Sequence, residues 1–173
     1  MIRIGHAWDT HKLDPERKLI LGGIEFESKL GLLGHSDADV VLHAISEALL
    51  GSLALGDLGT FYPDNSNETL NMDSKIILKE CYQRVLEKGY KLNNLDVTIY
   101  SENIKISPKR EEIRMSISKI LNINIEQVSV KATTWEKMGF VGRGEAIASE
   151  CVCLVENNKQ RTKTAVLFYK KSL

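Results

Sequence analysis

Asp9, Thr10 and His11 stand at the end of a strand-like opening segment. Residues two apart on an extended backbone project from one face, so the Asp9 carboxylate and the His11 imidazole can converge on a single ion. His43, on the polar stripe of a helix-like stretch, is a candidate third ligand. One carboxylate oxygen and two imidazole nitrogens suit Zn²⁺, and three protein ligands leave a fourth position open, the pattern of a catalytic rather than a structural ion. A plainer reading stays open on spacing alone, with Asp9 capping a turn and both imidazoles solvated.

Two further clusters invite chemistry. Gly34-His35-Ser36-Asp37 feeds the start of a helix, where unpaired N–H groups and the helix dipole form a seat for phosphate. The alternative is an ordinary capped helix with Ser36 or Asp37 as the cap. Asp37 and Asp39 would repel a phosphate there unless they orient metal-binding histidines from behind. The second cluster is Lys131-Ala132-Thr133-Thr134-Trp135-Glu136-Lys137, followed by the glycine-rich stretch from Gly139 to Gly144. Two threonine hydroxyls and a carboxylate at a strand terminus can hold a phosphate and a hydrated Mg²⁺. An edge strand with solvated charges is the competing reading.

The elements that must position these groups follow from periodicity and punctuation. Strands are expected over Met1–Trp8, Leu95–Tyr100, Val128–Ala132 and Ile147–Val155, with a bend or hairpin at Gly22-Gly23 inside Lys18–Phe26. A first helix over Ala38–Leu53 buries Val41, Ala44, Ile45, Ala48 and Leu49, while Asp39, His43 and Glu47 share the opposite face. A second helix fits Ser74–Lys88, with Asp73 as cap and Gly89 beyond its end; a third fits Pro108–Leu121, with Ser107 as cap. The order implies an α+β fold, a mixed β-sheet with helices packed on one face.

Composition narrows the function classes. The chain has 173 residues, with 23 basic and 23 acidic side chains and a formal net charge of zero. That balance excludes a whole-domain polycation built for nucleic acid. No apolar run approaches the ~20 residues of a membrane span. Cys81, Cys151 and Cys153 form no C-x-x-C pair and read as reduced, buried thiols. With a strand rather than a leader expected from Ile2, the expectation is a bacterial cytoplasmic protein. No repeat or linker divides the chain, so a single domain is expected over residues 1–156. A basic C-terminal tail follows over 157–173, in which Ala165–Tyr169 can pair as an edge strand.

Taken in order, several of these segments resemble the 2-C-methyl-D-erythritol 2,4-cyclodiphosphate synthase family. The resemblance rests on Arg3-Ile4-Gly5-His6 running into Asp9-Thr10-His11, on the stretch from His35 to Ala44, on Ala54 to Gly59, and on Phe61-Tyr62-Pro63-Asp64. It continues through Asp96 to Ile99, Lys131 to Thr134, and Gly139-Phe140 with Gly142 to Glu145. It implies that Asp9, His11 and His43 are zinc ligands and that Glu136 reaches a second divalent cation, Mg²⁺ or Mn²⁺. It places His35 and Ser36 on the methylerythritol phosphate, Asp57 and Gly59 on the methylerythritol or ribose, and Asp64 in the loop covering that end. Lys105 is implied in the cytosine pocket, and Thr133 and Thr134 on the diphosphate. The implied assembly is a homotrimer with active sites between subunits, and Phe140, Arg143 and Glu145 line its threefold axis, where an isoprenoid diphosphate can sit.

The implied reaction closes a ring in 4-diphosphocytidyl-2-C-methyl-D-erythritol 2-phosphate and releases CMP. Departures from the family pattern are Glu47 where aspartate is expected, Trp135 beside Glu136, and a cytosine segment reading Glu102-Asn103-Ile104-Lys105-Ile106-Ser107-Pro108. The same ligands also suit a metal-dependent phosphohydrolase that activates water, or a trimeric binding module with structural zinc. Products separate the first alternative and a His43→Ala variant the second.

Overall fold

The computed structural model describes residues 1–65 and 69–157. Seven strands are present among them: β1 (Ile2–Asp14), β2 (Leu19–Leu21), β3 (Ile24–Phe26), β4 (Gly31–Leu32), β5 (Lys91–Tyr100), β6 (Val128–Thr133) and β7 (Ala146–Glu156). Five of them form one sheet in the order β4-β1-β7-β5-β6, and β2 and β3 form a separate hairpin. Only β5 and β6 run parallel in the large sheet, so it is mixed. The helices are α1 (Val40–Ser52), α2 (Leu58–Phe61), α3 (Ser74–Glu87), α4 (Arg110–Leu121) and α5 (Gly139–Gly142).

The alternation that defines a half-buried strand decides which sheet face the helices cover. Leu95, Val97 and Ile99 of β5 and Cys151, Cys153 and Val155 of β7 are buried, whereas Ile2, Ile4, Trp8 and Val152 project from the other face and are exposed. Helix α1 lies closest to the sheet. A Cβ at Gly5 would collide with the Ala48 carbonyl, so only glycine lets β1 and α1 approach this far. The expected stripe of Val41, Ala44, Ile45, Ala48 and Leu49 is fully buried. All three cysteines are free and buried.

Several boundaries differ from the expectation, each for a physical reason. Strand β1 does not stop at Trp8, because β7 continues to pair with it as far as Lys12 opposite Ala146. The Asp9-Thr10-His11 cluster is therefore inside a strand rather than beyond its end. The first helix starts at Val40 rather than Ala38: Ala38 has a φ of 59°, and neither Ser36 nor Asp37 but Asp39 supplies the cap. The Asp39 carboxylate also accepts the N–H groups of Gly22 and Gly23, tying the hairpin to the helix start. The third helix begins at Arg110 after a short 3₁₀ turn, and no side-chain cap is made. The glycine-rich stretch from Gly139 to Gly144 contains the helical turn α5. Apart from Asn157, the basic tail over 157–173, with its Ala165–Tyr169 stretch, lies outside the described residues. Among the described residues no helix is long and apolar enough to cross a membrane.

Candidate metal centre

Asp9 and His11 leave β1 on its helix-facing side, and His43 descends from the first turn of α1 to meet them. His11 Nε2 is 3.1 Å from Asp9 Oδ2, His43 Nδ1 is 3.2 Å from the same oxygen, and the two ring nitrogens are 3.1 Å apart. The outer nitrogen of His11 lies 2.9 Å from the Leu33 carbonyl. A carbonyl only accepts, so Nδ1 carries the proton and Nε2 turns its lone pair inward. An anionic oxygen and imidazole lone pairs thus face one point, a donor set that fits a tetrahedral cation with one corner left for a ligand. Among the described residues these three are the one such group of His, Cys, Asp and Glu donors.

The electrostatics keep the Asp9 carboxylate ionised beside the two imidazoles. Burial acts against the Asp9 carboxylate, but hydrogen bonds and charge from His11 and His43 outweigh it and hold the carboxyl well below its usual range. Burial likewise opposes a charged His11, and Asp9 overcomes it and raises the imidazole. The group opens onto a cavity of about 710 Å³.

The cavity also collects His35, Ser36, Gly59 and Asp64 of the expected substrate contacts. Asp57 is placed differently: its carboxylate caps α2, accepting both the N–H and the hydroxyl of Thr60. The start of α1 is not a phosphate seat, because Asp39 already takes the N–H groups of Val41 and Leu42. Lys105 lines a different hollow with Phe26, Asn103 and Pro108. Thr133 ends β6 on the surface, and Thr134, just beyond it, donates to Glu136 at 2.5 Å. Arg143 is paired with Glu145, and Phe140 packs against Trp8 and Trp135. Within one chain, none of Lys105, Thr133, Thr134, Glu136, Phe140 and Arg143 borders the metal-site cavity.

Three contacts around these groups were not foreseen in the sequence, although Ser36 and Glu47 were themselves noted there. Ser74 Oγ lies 2.9 Å from His43 Nε2, alongside Ser36 Oγ at 3.1 Å, so two serine hydroxyls meet the outer nitrogen of this ring. Glu47, one turn beyond His43, accepts the Leu58 N–H and links α1 to α2. Burial, with repulsion from Asp57 and Asp9, raises its carboxyl against that hydrogen bond. Arg17 donates to the Ser36 carbonyl at 2.6 Å and to Asn71, bracing the His35-Ser36 loop. Only the i, i+4 spacing of His43 and Glu47 left a trace in the sequence.

The family model described as the YgbB family matches residues 2–156. A protein of Mannheimia succiniciproducens named 2-C-methyl-D-erythritol 2,4-cyclodiphosphate synthase is 50% identical over 155 residues, covering 90% of this chain and 98% of that protein. This chain belongs to the YgbB family, that of the 2-C-methyl-D-erythritol 2,4-cyclodiphosphate synthases. Solved members of the family share its architecture. The Plasmodium falciparum IspF in complex with CDP superimposes with a TM-score of 0.79 at 36% identity, covering 90% of this chain and 96% of that one. The bifunctional IspDF of Campylobacter jejuni gives a TM-score of 0.88 at 34% identity over 91% of this chain, which spans 42% of that longer one.

Proposed function

We propose that this chain converts 4-diphosphocytidyl-2-C-methyl-D-erythritol 2-phosphate into 2-C-methyl-D-erythritol 2,4-cyclodiphosphate and CMP, and that the cavity beside β1 and α1 is the metal-bearing half of the site. Membership of the synthase family supports the activity. The observation that carries the placement is the convergence of Asp9 Oδ2, His11 Nε2 and His43 Nδ1 at the cavity wall.

The physical obstacle to this reaction is repulsion, since a phosphate oxygen must approach a phosphorus that already carries negative charge. Asp9, His11 and His43 would hold a zinc ion, and the chemistry it would supply there is withdrawal of charge from the reacting phosphates. His35 and Ser36, on the loop braced by Arg17, hold the methylerythritol phosphate against the cavity wall. Gly59 and Asp64 also line the cavity and take the sugar-alcohol end. No side chain needs to act as general base, because the attacking phosphate is ionised near neutral pH.

The remaining groups belong to the nucleotide half. Lys105 contacts the base, Thr133 and Thr134 the diphosphate, and Glu136 a second cation, Mg²⁺ or Mn²⁺. Their distance from the cavity within one chain fits a homotrimer in which a neighbouring subunit contributes them. In that assembly Phe140 and Arg143 stand at the threefold axis, with an isoprenoid diphosphate as the ligand suited to an apolar channel ending in cations. Residues 1–156 form the catalytic domain, in a bacterial cytoplasmic protein.

The deciding experiment incubates the full chain with Zn²⁺, Mg²⁺ and the cytidylyl substrate. CMP and the cyclic diphosphate are expected in equal amounts. Open-chain phosphates, or no CMP at all, would overturn the reading.

A further inference from the structure

We infer that Ser74 and Asp37 are a positioning pair that fixes the His43 ring so that Nδ1, not Nε2, faces the ion; this rests on the reading that Asp9, His11 and His43 hold zinc. The proton positions follow from what each partner can donate. Asp37 Oδ1 accepts the Ser74 hydroxyl proton in a short hydrogen bond, and a carboxylate has no proton to return. With its own proton committed, Ser74 Oγ can only accept from His43 Nε2, 2.9 Å away. Nε2 therefore carries the ring proton and Nδ1 offers its lone pair to the point shared with His11 Nε2 and Asp9 Oδ2.

The pair is itself held in place. Asp37 Oδ2 accepts the Ser74 N–H at 3.1 Å and Oδ1 the Asp39 N–H at 3.2 Å, so the carboxylate joins the starts of α1 and α3. Ser74 is fully buried, which makes a reversed or missing hydrogen bond costly. The proton on Nε2 also settles what Ser36 does. Ser36, His43 and Asp9 have the spacing of a nucleophile, base and orienting carboxylate. An Nε2 that already bears a proton cannot take one from Ser36, so the serine serves the ring and the substrate rather than attacking.

Zinc affinity of the full chain, read by competition with a chelator of known strength, tests the pair without reference to turnover. Ser74→Ala is expected to weaken binding by about 10- to 100-fold and Asp37→Asn by a similar factor, while Ser74→Thr recovers most of the loss. Because Asp37 acts through Ser74, the double variant is expected to be no weaker than the weaker single one. In the Co²⁺-substituted protein, Ser74→Ala is expected to shift the visible absorption bands, as a freed imidazole changes the ligand field. Affinity within about twofold of the unaltered protein, or losses that simply multiply, would overturn the inference. If Ser74→Ala does not unfold cooperatively, Asp37→Asn decides by the same affinity criterion. An unaltered chain that takes up no zinc overturns the metal reading itself, whereas tight zinc binding indifferent to both variants overturns the positioning pair alone.

Discussion

The cavity beside α1 and the segment from Thr133 to Glu145 both carry candidate site residues, yet they are built in opposite ways. Around the cavity, each functional group is oriented by another part of the same chain: His11 by the Leu33 carbonyl, His43 by Ser36 and Ser74, the His35-Ser36 loop by Arg17. In the second region the candidates satisfy one another at the surface, Thr134 with Glu136 and Arg143 with Glu145. Glu136 and Lys137 also hold positive φ angles of 49° and 63°, conformations that non-glycine residues adopt at some energetic cost. One half is preorganised by its own fold. The other presents its groups outward.

Three substitutions break or sharpen that contrast. The largest effect is expected from His43→Ala, which removes a proposed zinc ligand from the preorganised half. Zinc by elemental analysis should drop from about one per chain to below about a tenth, and turnover with it, while circular dichroism keeps its helical signal. Retained metal would mean that His43 is not a ligand; retained turnover without metal would sink the zinc-dependent scheme.

Asp39→Ala should cost less in chemistry and more in stability. Its carboxylate caps α1 and holds the hairpin through four backbone N–H groups. Losing the cap and leaving buried donors unpaired predicts about 3 kcal/mol of destabilisation in denaturant titrations. A loss under about 1 kcal/mol would show that water replaces the carboxylate and that this half is looser than its hydrogen bonds suggest.

The smallest structural effect is expected from Glu136→Gln in the exposed half. Unfolding free energy should stay within about 0.5 kcal/mol of the unaltered protein. Catalysis should fall nevertheless, with the dependence on Mg²⁺ or Mn²⁺ concentration moved to higher values. Unchanged metal dependence would remove Glu136 from the proposed nucleotide half.

Much of the architecture was legible because periodicity reports burial directly. The stripe in α1, the alternation in β5 and β7, and the Gly22-Gly23 turn each record a local demand on the chain. What was misread involved competition between partners distant in sequence. Asp39 rather than Ser36 or Asp37 caps α1 because the hairpin glycines need the same carboxylate. β1 outruns its apolar residues because β7 is there to pair with it. The glycine-rich turn from Gly139 to Gly144, by contrast, is present and takes the form of α5, where a Cβ at Gly142 would strike the backbone of Lys137.

By itself the sequence determined the kind of site: a carboxylate and an imidazole two apart on a strand, a second imidazole on a helix, and a motif order shared with one enzyme family. Only the tertiary structure decided which nitrogen of each ring turns toward the Asp9 carboxylate. That choice depends on the proton held by Ser74, 31 residues from His43, and on the Leu33 carbonyl, 22 residues from His11. The direction of a hydrogen bond is a property of two groups in contact, and side-chain type and spacing along the chain carry no record of it.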